Sequence, residues 1–251
     1  MTQQTWNNKP PAEAGEWLPT LDVPEPQAQR RLTILVRWLL LLPQFIVLAV
    51  LEIAAFFAMV FGWFAALFIA RLPEPIARFL SRVLAYETRV HASALLLVDR
   101  YPPFSLRPVP DYPVQIEVRP GKLNRLAVFF RIILMIPATI VQSLFASGWY
   151  AVSFVSWLVV LIMGRMPRPL FEATAALLRY TMRYNAYTVM LTSAYPKRLL
   201  GDGDTPTAPV TEAPVSATRP LRLSTAGTVL VALFLLIGLL ANVLSETSFS
   251  S

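Results

Sequence analysis

The chain has 251 residues, 55% of them hydrophobic, 12% aromatic and only 15% charged, where a soluble domain carries roughly 25% charged residues. That balance excludes an ordinary soluble enzyme and a disordered chain, and it leaves an integral membrane protein. The net charge of +7 comes from 22 Lys and Arg against 15 Asp and Glu; basic residues of membrane proteins gather beside the cytoplasmic leaflet and its anionic headgroups, so the bilayer is the expected partner and nucleic acid is not.

In chain order, residues 1–30 read as a flexible cytoplasmic arm, polar and Pro-rich, with no signal-peptide pattern, so insertion is expected to use internal segments. Residues 32–70 form an apolar block broken only by Arg37, Pro43, Gln44 and Glu52. Residues 76–98 read as an amphipathic helix. Residues 99–122 are Pro-rich, and Val114 to Val118 alternate apolar and polar, the period of a short strand that could pair with Leu18 to Val23. A second apolar block over 126–164 and a second amphipathic segment over 170–192 follow. Residues 199–223 read as a flexible linker, 224–245 as a single C-terminal membrane helix, and 246–251 as a tail.

The chain repeats itself at an offset of 94 residues without a gap. Arg31-Leu32 matches Arg125-Leu126, and Arg37 and Pro43 match Arg131 and Pro137. Trp63 matches Trp157, Arg71-x-Pro73-x-Pro75 matches Arg165-x-Pro167-x-Pro169, and Tyr101-Pro102 matches Tyr195-Pro196. About a quarter of the positions from Arg31 to Pro102 are identical, which marks two copies of one structural unit, here over 31–105 and 125–198 with a linker at 106–124.

The run Asp99-Arg100-Tyr101-Pro102-Pro103-Phe104, the Arg71-x-Pro73 turn and the segment Val83-Leu84-Ala85-Tyr86-Glu87-Thr88-Arg89-Val90 resemble the bacterial membrane proteins of domain of unknown function (DUF) family 4389, in two tandem copies. Departures are Ala70-Arg71 where the turn is typically Gly-Arg, as in Gly164-Arg165, and the decay of the closing motif to Ser193-Ala194-Tyr195-Pro196. The resemblance implies a membrane protein and supplies no activity.

Lys and Arg are absent from 38–70, 132–164 and 223–251. If each long block crossed once, ten of the 22 would face one side and twelve the other, against the positive-inside tendency. A hairpin that enters and leaves on one face keeps them together, with turns expected near Glu52 to Ala54 and Ala146 to Gly148. The rival is one tilted or kinked helix per repeat, with Pro43 and Pro137 as kinks. The expected fold is therefore an all-α membrane protein of two repeated transmembrane or re-entrant helical hairpins. Each is followed by an amphipathic interfacial helix, and one C-terminal transmembrane helix closes the chain.

Arg78, Arg82 and Arg89 share one helix face, and Arg179 and Arg183 lie four apart on the second copy. With Arg71 and Arg165 at the turns, they are candidates for contact with lipid phosphate or a partner. Glu52, Gln44, Gln142 and Ser147 are the intramembrane polar candidates, and a site between the repeats would draw on them. Glu87 and His91, four apart, could serve as a general base pair or stand as a surface pair. There is no Cys and one His, so disulfides, thiol catalysis and a His-built metal site are excluded; no glycine-rich phosphate loop is present, and no cofactor, metal or catalytic residue is expected. The reading is a non-enzymatic scaffold or accessory subunit of a larger complex in the bacterial inner membrane, its polar segments cytoplasmic. Anionic lipids and other membrane subunits or further copies are its expected partners. The alternative is a transport or lipid-handling protein with a site between the repeats.

Overall fold

The computed structural model describes residues 18–201 and 216–249. Strand β1 is Thr20–Asp22. A short helix α1 (Arg31–Leu35) and the long helix α2 (Arg37–Ile69) are separated only by Val36. Helix α3 is Glu74–Ala94 and strand β2 is Gln115–Glu117. The second copy supplies α4 (Arg125–Phe129), α5 (Arg131–Met163) and α6 (Arg168–Thr188), and α7 is Thr225–Phe249. Each helix boundary of the first copy recurs 94 residues later. The first 17 residues, where most of the expected arm falls, and most of the 199–223 linker lie outside the described residues. From Leu18 onward the arm is built into the fold through β1.

The long helices run unbroken because nothing inside them stops a helix. Residues 38–69 hold a single Pro, and Pro43 lies within α2 without ending it. The turns expected near Glu52 and near Ala146 to Gly148 are therefore absent: both positions are continuous helix. Each apolar block is one helix, the rival of the expected hairpin, and the chain turns back only after it. Ala70 adopts the left-handed conformation (φ 54°, ψ 28°), and Pro73 and Pro75 start α3, where the N–H that Pro lacks has no intrahelical partner. Gly164, Pro167 and Pro169 do the same for α6. The hairpins are thus α2–α3 and α5–α6. Arg37 reaches Ser93 and Val98 near the end of α3, Gln44 reaches Tyr86, and Gly62 faces Leu72 and Ile76 near its start, so the two helices are antiparallel.

Each long helix buries one narrow stripe. In α2 the buried residues are Arg37, Leu41, Gln44, Leu48, Ala55, Gly62 and Ala66, nearly a seven-residue spacing. The rest is apolar and exposed, including Phe56, Phe57, Phe61, Phe64 and Phe68. Among the described residues, helices α2, α5 and α7 are the three long and apolar enough to cross a membrane. Between them lie α3 and α6, and α6 buries fifteen of its 21 residues at the centre of the core.

The copies are joined by an exchange of identical contacts. The Trp63 indole N–H donates to Val128 O at 3.0 Å, and Trp157, its counterpart, donates to Ile34 O at 3.0 Å. The Gln29 amide donates to Gly164 O (2.7 Å) and the Leu123 amide to Ala70 O (2.8 Å). These pairs are reciprocal under the 94-residue shift, the signature of an internal two-fold axis. The strands obey it as well: β1 pairs antiparallel with β2, Leu21 opposite Ile116. The end of α2 adjoins the start of α5 and the reverse, so the two long helices run in opposite directions.

Helix α7 breaks the symmetry by packing antiparallel on α5. A Cβ on Gly148 would lie 1.6 Å from Phe234 O, and one on Gly238 would lie 1.9 Å from Leu144 O, so both glycines permit backbone contact. Asn242 Nδ2 donates to Ser147 Oγ at 3.2 Å. Gly148→Leu should push α7 off α5. A disulfide between Ser147→Cys and Asn242→Cys should form in the parent background and be lost with Gly148→Leu; its persistence would contradict this packing.

Candidate functional site

Of the polar candidates within the long helices, Gln44 and Gln142 are used within their own repeat. Gln44 is fully buried; its amide donates to Pro102 O (2.6 Å), and its carbonyl accepts from the Tyr86 hydroxyl. Gln142 donates to Thr181 Oγ1 (2.8 Å), and Ser147 meets α7. Glu52 is exposed midway along α2, not at a hairpin tip. The structure therefore does not gather these four candidates into one site between the repeats.

Two buried arginines that the sequence reading passed over close the hairpins. Arg37 donates to Ser93 Oγ (3.0 Å), Val98 O (2.9 Å), Gln29 Oε1 (3.1 Å) and Asp99 Oδ1 (2.9 Å). Arg131 donates to Tyr187 O (2.8 Å) and Thr192 O (2.7 Å), with its guanidinium 4.0 Å from the Tyr187 ring centre. A guanidinium at the base of an apolar helix is costly to bury, and here the end of the amphipathic helix supplies acceptors for the Arg37 Nη groups and for Arg131, while Arg37 Nε is buried without a partner. The recurrence of Arg37 as Arg131 was the available signal.

The arginine candidates divide by repeat. Arg71, Arg78, Arg82 and Arg89 are brought together. They line one cleft of about 1000 Å³ with Arg107 and Lys122, bounded by the end of α2, the stretch of α3 from Glu74 to Arg89 and the 106–122 segment. Ile69, Leu72, Ile116 and Val118 form its apolar wall. Glu74 is the carboxylate in the lining, and it pairs with Arg78 at 2.9 Å. Arg89 is buried, donates to Ser105 O, and has no hydrogen-bond partner at Nε. Burial holds its pKa below the ordinary arginine value.

In repeat two the expected lipid contact does not hold for Arg179 and Arg183. Arg179 is buried and donates to Arg198 O (3.0 Å). Arg183 is buried and donates from Nε to Pro19 O (2.9 Å) and from Nη1 to Lys197 O (3.2 Å). Segments distant in sequence cover that helix face, which helical spacing alone does not reveal. Arg165 stays exposed at the turn. Glu172, the counterpart of Arg78, was also missed: its carboxylate accepts from the Ser224 backbone N–H (2.7 Å) and hydroxyl (2.6 Å) and so holds the start of α7.

Glu87 and His91 lie where α3 meets α6. Asn185 Nδ2 donates to Glu87 Oε1 at 2.6 Å, and His91 Nδ1 stands 3.7 Å from the same oxygen. Burial first, and the Glu52 carboxylate second, push the Glu87 pKa up to about 8 against the Asn185 hydrogen bond; burial lowers that of His91. A carboxyl whose pKa is higher folded than unfolded stabilises the fold fully below its unfolded value near 4.3 and loses that contribution as pH rises to about 8. The His91 shift acts oppositely, below about pH 6.5. The melting temperature of the parent protein in detergent should thus fall relative to Glu87→Gln between about pH 5 and 8. Parallel pH profiles for the two proteins would refute the assignment.

No curated protein and no solved structure shows a match to this chain. A family model does match, twice, over residues 31–105 and 125–199, which are the two hairpin units with their closing segments. The chain therefore belongs to the family described as Domain of unknown function (DUF4389), in two tandem copies.

Proposed function

We propose that this protein is a non-enzymatic scaffold or accessory subunit of a larger complex in a bacterial inner membrane, docking a partner's membrane helix on α2. The observation that carries the reading is the inequality of the two long helices. Helix α7 lies along α5, whereas among the described residues the counterpart face of α2 has no helix on it: Val50, Ile53 and Phe57 are exposed. Close van der Waals packing drives helix association in membranes, and aromatic side chains supply wide contact area.

The occupant differs from α7. Ala54 stands where Gly148 admits the Phe234 backbone, and Arg78 stands where Glu172 holds the start of α7. Both changes disfavour the α7 of a second copy and favour a different chain. The polar side of the molecule is assigned to the cytoplasm. Helix α3 accompanies α2 over most of its length, so an end-to-end crossing of α2 would carry Glu74, Arg78, Arg82, Glu87 and His91 into hydrocarbon, at a cost of several kcal/mol per uncompensated charge.

A photo-crosslinking residue at Ile53 or Phe57 should capture a distinct membrane subunit in native membranes, and the same residue at the exposed Arg125 should not. Capture of lipid alone, or of a second copy alone, would overturn the accessory-subunit reading. Single Cys at Arg71 or Arg100 should resist an impermeant thiol reagent in intact cells; labelling from outside would reverse the orientation.

A further inference from the structure

We propose that the cleft of repeat one is a binding site for the phosphate of an anionic phospholipid headgroup, with Arg89 at its base and Arg78 and Arg82 at its rim. The proposal stands apart from the scaffold reading and survives if that reading fails.

The internal repeat acts as a control. In repeat two the equivalent space is filled by the chain itself. Arg183 Nε, the counterpart of Arg89 Nε, donates to Pro19 O, and Glu172 receives the start of α7. The counterpart of Arg82 is Ala176, which is buried. In repeat one Arg89 Nε is buried in the cleft lining and has no acceptor. A buried donor left unmet is destabilising, and an oxygen admitted from the cleft would take the place that Pro19 O holds in repeat two. Surrounding charge defines that oxygen: Arg71, Arg78, Arg82, Arg107 and Lys122 share the lining, against one carboxylate already paired to Arg78. Guanidinium groups match phosphate oxygens in geometry and charge.

Lipid is favoured over a soluble anion by the other half of the lining. Ile69, the last residue of the apolar helix α2, lies in the cleft and is half exposed, and Leu72, Ile116 and Val118 continue an apolar wall. A headgroup phosphate among the arginines would have its acyl chains beside the end of a membrane helix, the arrangement of a basic pocket at a bilayer interface.

The test uses the full chain in detergent with short-chain phosphatidylglycerol, short-chain phosphatidylcholine, and inorganic phosphate as separate ligands, read by thermal shift and by native mass spectrometry. Phosphatidylglycerol should stabilise the protein saturably, and phosphatidylcholine should not. Arg78→Glu with Arg82→Glu, both exposed and therefore compatible with folding, should weaken the phosphatidylglycerol effect by roughly tenfold or more, at ~1 kcal/mol per basic residue facing the lipid surface. Arg165→Glu, outside the cleft, should leave it unchanged. Arg89→Gln should abolish the effect; if it fails to fold, the rim variant decides. Equal response to both lipids, or no change in the double variant, would overturn the proposal. Stabilisation by inorganic phosphate with none by phosphatidylglycerol would also overturn it, by making the ligand a soluble anion.

Discussion

Two indole N–H groups, on Trp63 and Trp157, each reach a backbone carbonyl of the opposite repeat, and the rest of the structure depends on that exchange. Helix α2 is bare over most of its surface and meets its own hairpin partner along a single stripe, whereas α5 also carries α7. The indole bonds and the paired amide bonds at Gly164 and Ala70 pin the far end of each helix to the start of the next copy. At the near end, Arg37 and Arg131 hold the amphipathic helix by carbonyl and side-chain acceptors. An apolar helix of 33 residues, about 50 Å long, is thus tied at both ends while its lipid-facing surface makes no demands on packing.

Duplication of the unit left two copies of every position, and differences between copies are where function is sought. The α6 side of repeat two is consumed by structure: Arg179, Arg183 and Glu172 are all buried against other parts of the chain. The α3 side of repeat one keeps its cations around an open cleft and keeps α2 uncovered. The substitutions Gly148 to Ala54 and Glu172 to Arg78, read from repeat two to repeat one, remove the two features that hold α7 and replace a helix-capping carboxylate by a cation. One copy is a core, and the other offers surfaces.

Much of this was legible in the sequence because the repeat is gapless. The 94-residue offset foretold that helix boundaries would recur, and the alternation at Val114 to Val118 marked the strand that pairs with β1. The hairpin turn was misplaced because its position was inferred from helix length and charge, without turn residues at Glu52. The residues with real turn chemistry, Arg71-x-Pro73-x-Pro75, were read as a turn but not as the turn that reverses the chain within each repeat. Helical spacing put Arg78, Arg82 and Arg89 on one face, and they do share the cleft. The same arithmetic failed for Arg179 and Arg183, because Pro19, Lys197 and Arg198 cover them from far along the chain.

The central claim is the reciprocal junction of the two copies, and paired disulfides test it most directly, since the chain has no native Cys. Ala28 and Arg165 are bridge partners, and their counterparts under the repeat are Lys122 and Arg71. Cys placed at 28 and 165, and separately at 122 and 71, should each form an intramolecular disulfide in the membrane-embedded protein, because the first pair are bridge partners and the second adjoins the reciprocal Leu123-to-Ala70 amide bond. Bonding at one junction without the other, or only between separate molecules, would contradict the internal two-fold arrangement.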